Sequence, residues 1–394
     1  MDCTHTAQWV ADRLPFQLQA GILIAAGKVV FFTLLWYTFS IGITFYNKWL
    51  FQWYGFHYPL VVTVCHMGAT FMWSGLARWY LRRWQGVKYT AVTWRNIFTK
   101  VFPAGAAGAL DIGLSNAALA TKMHINLYTI CKSTVVCFVL LFSFIWRLQK
   151  PTWELAGIVA LIVGGVILFQ AQDDLSFHSS GFLLVMLASM MGGLRWVLTQ
   201  VLLKSNDLGL NGTVDTLFHV APTMALTLFP FAAASEGERF AHSEMLFGGD
   251  LNVATLTILA VLMGTVLAFF LTLSEYLLVE YAGSLTLTIA GVFKELVTLL
   301  IAAEAVSGNE LSPVNLLGLF VSLLGIGGYN YVKYRDATRP GGYARVRMDE
   351  DRPESIQMSP LGAAPSRSPF SRTRVVSVAS SHGGLEERLV ETEM

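Results

Sequence analysis

Two lysines stand where lysines are hard to keep. Lys132 lies in the apolar run NLYTICKSTVVCFVLLF and Lys294 in SLTLTIAGVFKELVTLLIAA. Neither is close enough to the end of its run to snorkel easily. A charge at a bilayer centre costs about 2.5–3.5 kcal/mol on insertion scales, so it faces a bundle interior or a wet cavity. Tyr128 precedes Lys132 by four residues, on the same helix face. An ammonium with a phenol beside it suits a phosphate. Two cations converging on one cavity make an anion site. Lys132, Lys294 and Tyr128 are therefore the candidate substrate-binding residues.

Other polar groups fall inside apolar runs: Lys48, His66, Asp111, Arg195, Asp215, His219, Glu275 and Glu295. Lys294 and Glu295 are adjacent, about 100° apart on a helix, and cannot easily neutralise each other across one face. Each needs a partner elsewhere. For Glu275 and Glu295 the preferred reading is an interhelical ion pair, such as Lys294 with Glu275 or Glu295 with Arg195. For the lysines an anionic substrate is preferred. Asp111, Arg195, Glu275 and Glu295, with Asn47 and Lys48 of the first run, are the candidates for lining or gating a path. His66 reads as a hydrogen-bonded packing residue. Asp215 and His219, one turn apart, supply two metal-ligand types without a third, so no metal is expected. No Walker lysine loop, G-x-S-x-G or H-E-x-x-H occurs. Neither an enzyme nor a cofactor is expected.

The elements that must hold these residues follow from composition. Hydrophobic residues make up 54%, charged residues only 13%, and mean hydropathy is +0.53. A soluble domain carries about 25% charged residues, so this chain belongs in a lipid bilayer. The net charge of +1 gives no pull toward nucleic acid. Cys65, Cys131 and Cys137 sit in apolar runs and Cys3 near the start, which makes a disulfide framework an unsuitable reading. The opening MDCTHTAQWVADRLPFQLQA lacks a basic segment followed by an apolar core, so no cleaved signal peptide is expected.

A helix needs about 20 apolar residues to cross a bilayer. That ruler marks ten spans, at 28–50, 58–80, 97–120, 124–146, 152–171, 180–203, 213–234, 252–279, 283–304 and 313–334. Loop charges orient them. Arg78, Arg82, Arg83, Lys88 and Arg95 follow the second span, Arg147 and Lys150 the fourth, Lys204 the sixth, and Lys333, Arg335 and Arg339 the tenth. The other side has only Lys122 and Arg239, with Asp173, Asp174, Glu236, Glu238, Glu244 and Asp250. Short basic loops stay cytosolic, which puts both termini in the cytosol. Residues 1–27 form a cytosolic N-terminal segment. From 336 to 394 the chain turns rich in Ser, Pro and Arg and reads as a disordered cytosolic tail, with Ser-Pro steps at Ser359 and Ser368 open to phosphorylation.

The two halves echo each other. ELAGIVALIVGGVILF closes the first, about 28–172, and NLLGLFVSLLGIGGYNY the second, about 180–335. Five spans in each half make the second enter from the opposite side. The fold class expected is an all-α membrane protein of ten transmembrane helices in two inverted five-helix repeats, with a site between them. The glycines at 164–165, 192–193 and 327–328 mark close helix packing.

With FYNKWLF, DIGLSNAAL, LYTICKS, GGLRWVLTQ and SLTLTIAGVFKE in order, the chain resembles the nucleotide-sugar transporter and triose-phosphate translocator branch of the drug/metabolite transporter superfamily. Within it, the chain resembles subfamily C of solute carrier family 35. The resemblance covers about 28–335. It implies antiport and phosphate recognition by the lysines matching Lys132 and Lys294. The phosphate translocators follow the second lysine with arginine, where this chain has Glu295. Relatives that read guanine carry G-A-L-N-K, where this chain has AGVFK, with Phe293 for the asparagine.

The resemblance implies a Golgi or ER–Golgi antiporter that exchanges a nucleotide sugar, GDP-fucose first, for a nucleoside monophosphate. A homodimer is compatible with it. Two alternatives stand beside it: another nucleotide sugar or phosphorylated metabolite, and a non-transporting membrane factor that supports glycosylation by binding proteins. The only N-x-[ST] sequon, at Asn211, falls in the cytosolic loop after the sixth span. Asn211 is expected to be unmodified. Endoglycosidase treatment of the native protein should leave its mobility unchanged, and a shift would reverse the orientation.

Overall fold

The computed structural model describes residues 16–121, 125–169, 179–205, 208–306 and 312–338. The expected N-terminal segment up to residue 15 and the tail from 339 lie outside them, as does Lys122. Among the described residues every regular element is helical. We number the long helices α1 to α10. They are α1 Phe16–Lys48, α2 Pro59–Trp84, α3 Trp94–Ala120, α4 Ile125–Ser133 with Val135–Ile145, and α5 Trp153–Phe169. After them come α6 Ser179–Lys204, α7 Gly212–Ala241, α8 Leu251–Ala282, α9 Ser284–Val306 and α10 Pro313–Thr338. Short π-helical turns extend α1 at Trp49–Trp53 and lie within α3 at Ile97–Val101. Each expected span meets a helix, but α1 begins well before residue 28 and α7 runs on to Ala241.

Eight of these helices are long and apolar enough to cross a membrane, which makes the chain a multi-pass membrane protein. Among the described residues α5, an apolar helix of 17 residues, is shorter than these. Trp49, Trp53, Trp79 and Trp84 are all exposed near helix ends, as suits side chains at a lipid–water interface.

The helices pack chiefly as α5 with α10, α3 with α6, α2 with α7, α3 with α7 and α1 with α8. Each pair takes one member from either half of the chain. The α5–α10 contact is the closest in backbone terms. A Cβ on Gly165 would stand 2.4 Å from the Ser322 backbone nitrogen, and one on Gly318 would stand 2.2 Å from that of Phe169. Only glycine permits that approach, which in lipid replaces the missing hydrophobic drive between helices with van der Waals contact. Polar bonds reinforce it: buried Ser322 donates to the Ile162 carbonyl at 3.1 Å, and Asn315 to that of Phe169 at 2.6 Å. At one end Arg335 grips Glu154 through two bonds of 2.8 Å. Of the glycines expected to mark packing, Gly165, Gly192 and Gly193 do so. Gly164 and Gly327 face open space and Gly328 makes ordinary contacts.

Side chains from distant helices close the helix ends. The buried Glu236 carboxylate of α7 accepts from the Leu60 and Val61 backbone N–H groups at 3.0 and 2.9 Å. It thus meets the positive end of α2, just inside Pro59. Glu236 is therefore a cap as well as one of the acidic residues that set the loop charge. Gly283, at φ +87°, breaks the chain between α8 and α9. The freed Ser284 N–H and hydroxyl both donate to Gln200 Oε1 at 2.7 Å. Lys333 donates to the Ala282 carbonyl at the end of α8, at 3.0 Å.

Asp215 and His219 have a structural explanation. Asp215 is fully buried, 3.2 Å from Arg78 Nε, with His219 at 3.4 Å. The Arg78 guanidinium lies between the Tyr89 and Phe218 rings, at 4.6 and 4.2 Å. The pair ties α2 to α7, and no group of three metal-ligating side chains occurs among the described residues. His66 is buried as expected, but its Nε2 has no hydrogen-bond partner among the described residues. It packs close to Gly264 instead.

Candidate functional site

The site is built from six helices. On α3, Asp111 projects toward α4 and α6. Its Oδ1 accepts a very short bond from Lys132 Nζ, and its Oδ2 lies 3.7 Å from an Arg195 guanidinium nitrogen. Ser115, one turn along α3, accepts a second bond from Lys132 at 2.8 Å. Tyr128 lies beside the same Ser115 side chain. Thus Lys132 and Tyr128 do share a face, and both turn it to α3.

Two glycines make this convergence possible. A Cβ on Gly108 would stand 2.7 Å from Arg195 Cδ, and one on Gly192 would stand 3.0 Å from Asp111 Oδ2. The close α3–α6 packing therefore leaves just enough room for a carboxylate and a guanidinium between two backbones. The guanidinium also stacks on the Trp196 ring at 4.1 Å.

On the other side stand α1, α8 and α9. Lys294 donates to Ser40 Oγ at 2.6 Å and sits 5.1 Å from the centroid of the Trp36 ring. The Trp36 indole N–H donates to Glu275 Oε1 at 3.1 Å. Tyr37 fixes α1 to α9 by donating to the Ala290 carbonyl at 2.6 Å. Glu275 lies in the fields of both Arg195 and Lys294. Glu295 lies in those of Lys294 and Lys132.

These contacts close a circuit of alternating sign: Lys132, Asp111, Arg195, Glu275, Lys294, Glu295 and back to Lys132. The neighbours are joined by direct pairs at Asp111 and by electrostatic coupling elsewhere. Glu295 is exposed. Lys132 and Arg195 are 25% and 21% accessible. The circuit can meet an anion with three cations, and sugar or base N–H and O–H donors with three carboxylates.

Six of the nine residues singled out in the sequence meet in this circuit, and Tyr128 adjoins it. Asn47 and Lys48 do not join it. They lie beyond Ser40 along α1, Lys48 exposed and Asn47 with its buried Oδ1 unpaired among the described residues. Reading the sequence missed Trp36 and Ser40. Their signal was a tryptophan and a serine one helical turn apart in mid-span, away from the interface where a tryptophan needs no explanation.

The triose-phosphate transporter family model matches residues 27–330, which contain the whole circuit. The chain belongs to the triose-phosphate transporter family. Among its relatives, a probable sugar phosphate/phosphate translocator of Arabidopsis thaliana is 36% identical, over 78% of this chain and 73% of its own length. YMD8 of Saccharomyces cerevisiae, which carries a provisional nucleotide-sugar transporter name, is 28% identical over 76% of this chain and 83% of its own. The Arabidopsis GDP-mannose transporter GONST5 is 26% identical over 76% and 84%. The chain is thus a transporter and not an enzyme.

In this family member Lys132 and Asp111 should behave as one unit. Removing one partner of a buried ion pair strands the other. Asp111→Asn should therefore lower the stability of the detergent-purified protein by about 2–3 kcal/mol, below the fully buried case because the pair is partly wet. Adding Lys132→Met should restore most of that loss. Thermal unfolding of the two single variants and the double variant checks this, and strictly additive losses would mean that the pair is not coupled.

Proposed function

We propose that the chain is a nucleotide-sugar antiporter of Golgi or early secretory membranes. GDP-fucose is its favoured substrate and a nucleoside monophosphate its counter-substrate, so that it supports fucosylation of glycoproteins. The reading takes ten crossings in two inverted five-helix repeats, with both termini cytosolic. The observation that carries it is that the lysines of α4 and α9, one from each half of the chain, both act electrostatically on Glu295. A diphosphate seated there would take one ammonium from each half and so tie the halves together while it is bound.

Lys132 and Lys294 hold the diphosphate in this proposal, Tyr128 and Arg195 flank it, and Asp111, Glu275 and Glu295 re-form ion pairs when the site empties. The empty circuit satisfies itself, which favours exchange: one anion leaves as another replaces it at the cations. Asn47 and Lys48 line the path further along α1. A phosphorylated metabolite is the second reading, favoured by the 36% identity to a protein named for sugar phosphate and phosphate.

Purified protein in liposomes tests both. Uptake of labelled GDP-fucose should require preloaded GMP. Lys132→Ala and Lys294→Ala should each weaken binding by roughly thirty-fold or more, since truncating one side of a desolvated charge pair costs about 2–5 kcal/mol. Exchange of a sugar phosphate for phosphate, with none for any nucleotide sugar, would establish the second reading instead.

A further inference from the structure

Charge of one sign gathers where α2 passes into α3. No Asp or Glu occurs between Asp12 and Asp111 in the sequence, yet six Lys and Arg residues fall from Arg78 to Lys100. Arg78 is answered by Asp215 of α7. Neither Arg82 nor Lys88 has an ion-pair partner among the described residues. Both line an open cavity of about 420 Å³, together with Gly86, Val87 and Tyr89.

The backbone around this cavity is held in place. Gly86, at φ +68°, turns the chain just past the end of α2, in a conformation that costs glycine little. The Gln85 and Val87 N–H groups then both return to the Leu81 carbonyl, at 3.0 and 3.4 Å. They cover an oxygen that would otherwise repel an anion. The Lys88 carbonyl accepts from the Asn211 side chain, ahead of α7. The Tyr89 ring lies 4.6 Å from the Arg78 guanidinium, which is itself fixed by Asp215. The segment is therefore tied to the α7 end of the chain at two points, and the exposed cations of Arg82 and Lys88 share one cavity on a braced backbone.

The surroundings decide what such a site takes. Trp79, Tyr80 and Trp84 are exposed on the last two turns of α2, and Trp94 and Phe98 on the start of α3. Exposed Trp and Tyr side chains sit at headgroup level. The loop charges put this connection on the cytosolic side in the expected orientation, and the cytosolic leaflet is the one that carries acidic lipids. A soluble phosphate would use the two cations alone. A lipid uses the cations and the aromatic rim together.

We infer that this cavity binds the headgroup of an acidic phospholipid, with Arg82 and Lys88 on its phosphate and the exposed aromatic side chains beside its acyl chains. The site uses no residue of the Lys132–Lys294 circuit, and it stands whichever anion the carrier moves.

Native mass spectrometry of the detergent-purified full-length protein tests this, with dioctanoyl phosphatidylinositol as the probe and dioctanoyl phosphatidylcholine as the uncharged comparison. The native chain should bind the acidic lipid at least tenfold more tightly. Each basic residue near a membrane surface contributes enough to change binding about fivefold. Arg82→Gln and Lys88→Gln should each weaken binding by about that factor, and the double variant by about twenty-five-fold. Lys88→Arg should keep it. Both side chains are exposed, so the double variant should unfold at the native temperature in the absence of lipid. Arg83→Gln with Arg95→Gln removes two charges of the same region that do not line the cavity, and this pair should leave binding within about twofold of native. Equal binding of the two lipids would overturn the inference, as would native-like binding by the Arg82→Gln/Lys88→Gln variant. A loss in the Arg83→Gln/Arg95→Gln variant as large as in the lining pair would replace the cavity with a diffuse charge effect. Displacement of the lipid by glycerol phosphate or GDP-fucose at equal concentration would make the cavity a soluble-anion site and overturn the assignment to lipid.

Discussion

Six charged side chains can be kept among membrane-spanning helices only if each faces its opposite. That constraint organises the centre of this protein. Lys132 cannot stand without Asp111, and Asp111 also faces Arg195. Arg195 and Lys294 both act on Glu275, and the two lysines both act on Glu295. Because desolvating an isolated ion costs several kcal/mol, the circuit is a condition for inserting the helices as well as a place to bind something. Its members come from five helices, so it also fixes how those helices are rotated relative to one another.

The rest of the fold provides the room and the rigidity. Gly108 and Gly192 bring α3 and α6 close enough for Arg195 and Asp111 to meet. Gly165 and Gly318 clamp α5 to α10 on backbone contact. Gln200 lies five residues beyond Arg195 on α6 and holds the first residue of α9, so the helix bearing Lys294 and Glu295 is tied to the helix bearing Arg195. Trp36 and Ser40 of α1 then hold Glu275 and Lys294 from the opposite side. Each contact satisfies a polar group that lipid cannot.

Much of this was legible in the sequence because cost is legible there. An ionisable residue inside a 20-residue apolar run signals itself, and all six members of the circuit did. Helix positions were equally readable from apolar length. The partners were not, since which carboxylate meets which lysine depends on helix rotation and on close helix approaches that single glycines permit. Both lysines read as waiting for a substrate anion, whereas in the structure each has partners within the chain. Asp215 and His219 resembled a partial metal site because their spacing along α7 was visible, while Arg78, far away in sequence, was not. The 17 residues of α5 sit at the edge of what length can assign to a bilayer.

The central claim is that Lys132 and Lys294 exchange internal partners for a substrate phosphate. A cryo-electron-microscopy structure of the full chain with a bound nucleoside-diphosphate sugar tests it most directly. Phosphate oxygens are expected within hydrogen-bond reach of both ammonium groups, with the Asp111 carboxylate turned away from Lys132. A ligand seated elsewhere, with the Lys132–Asp111 and Lys294–Ser40 contacts unchanged, would contradict it.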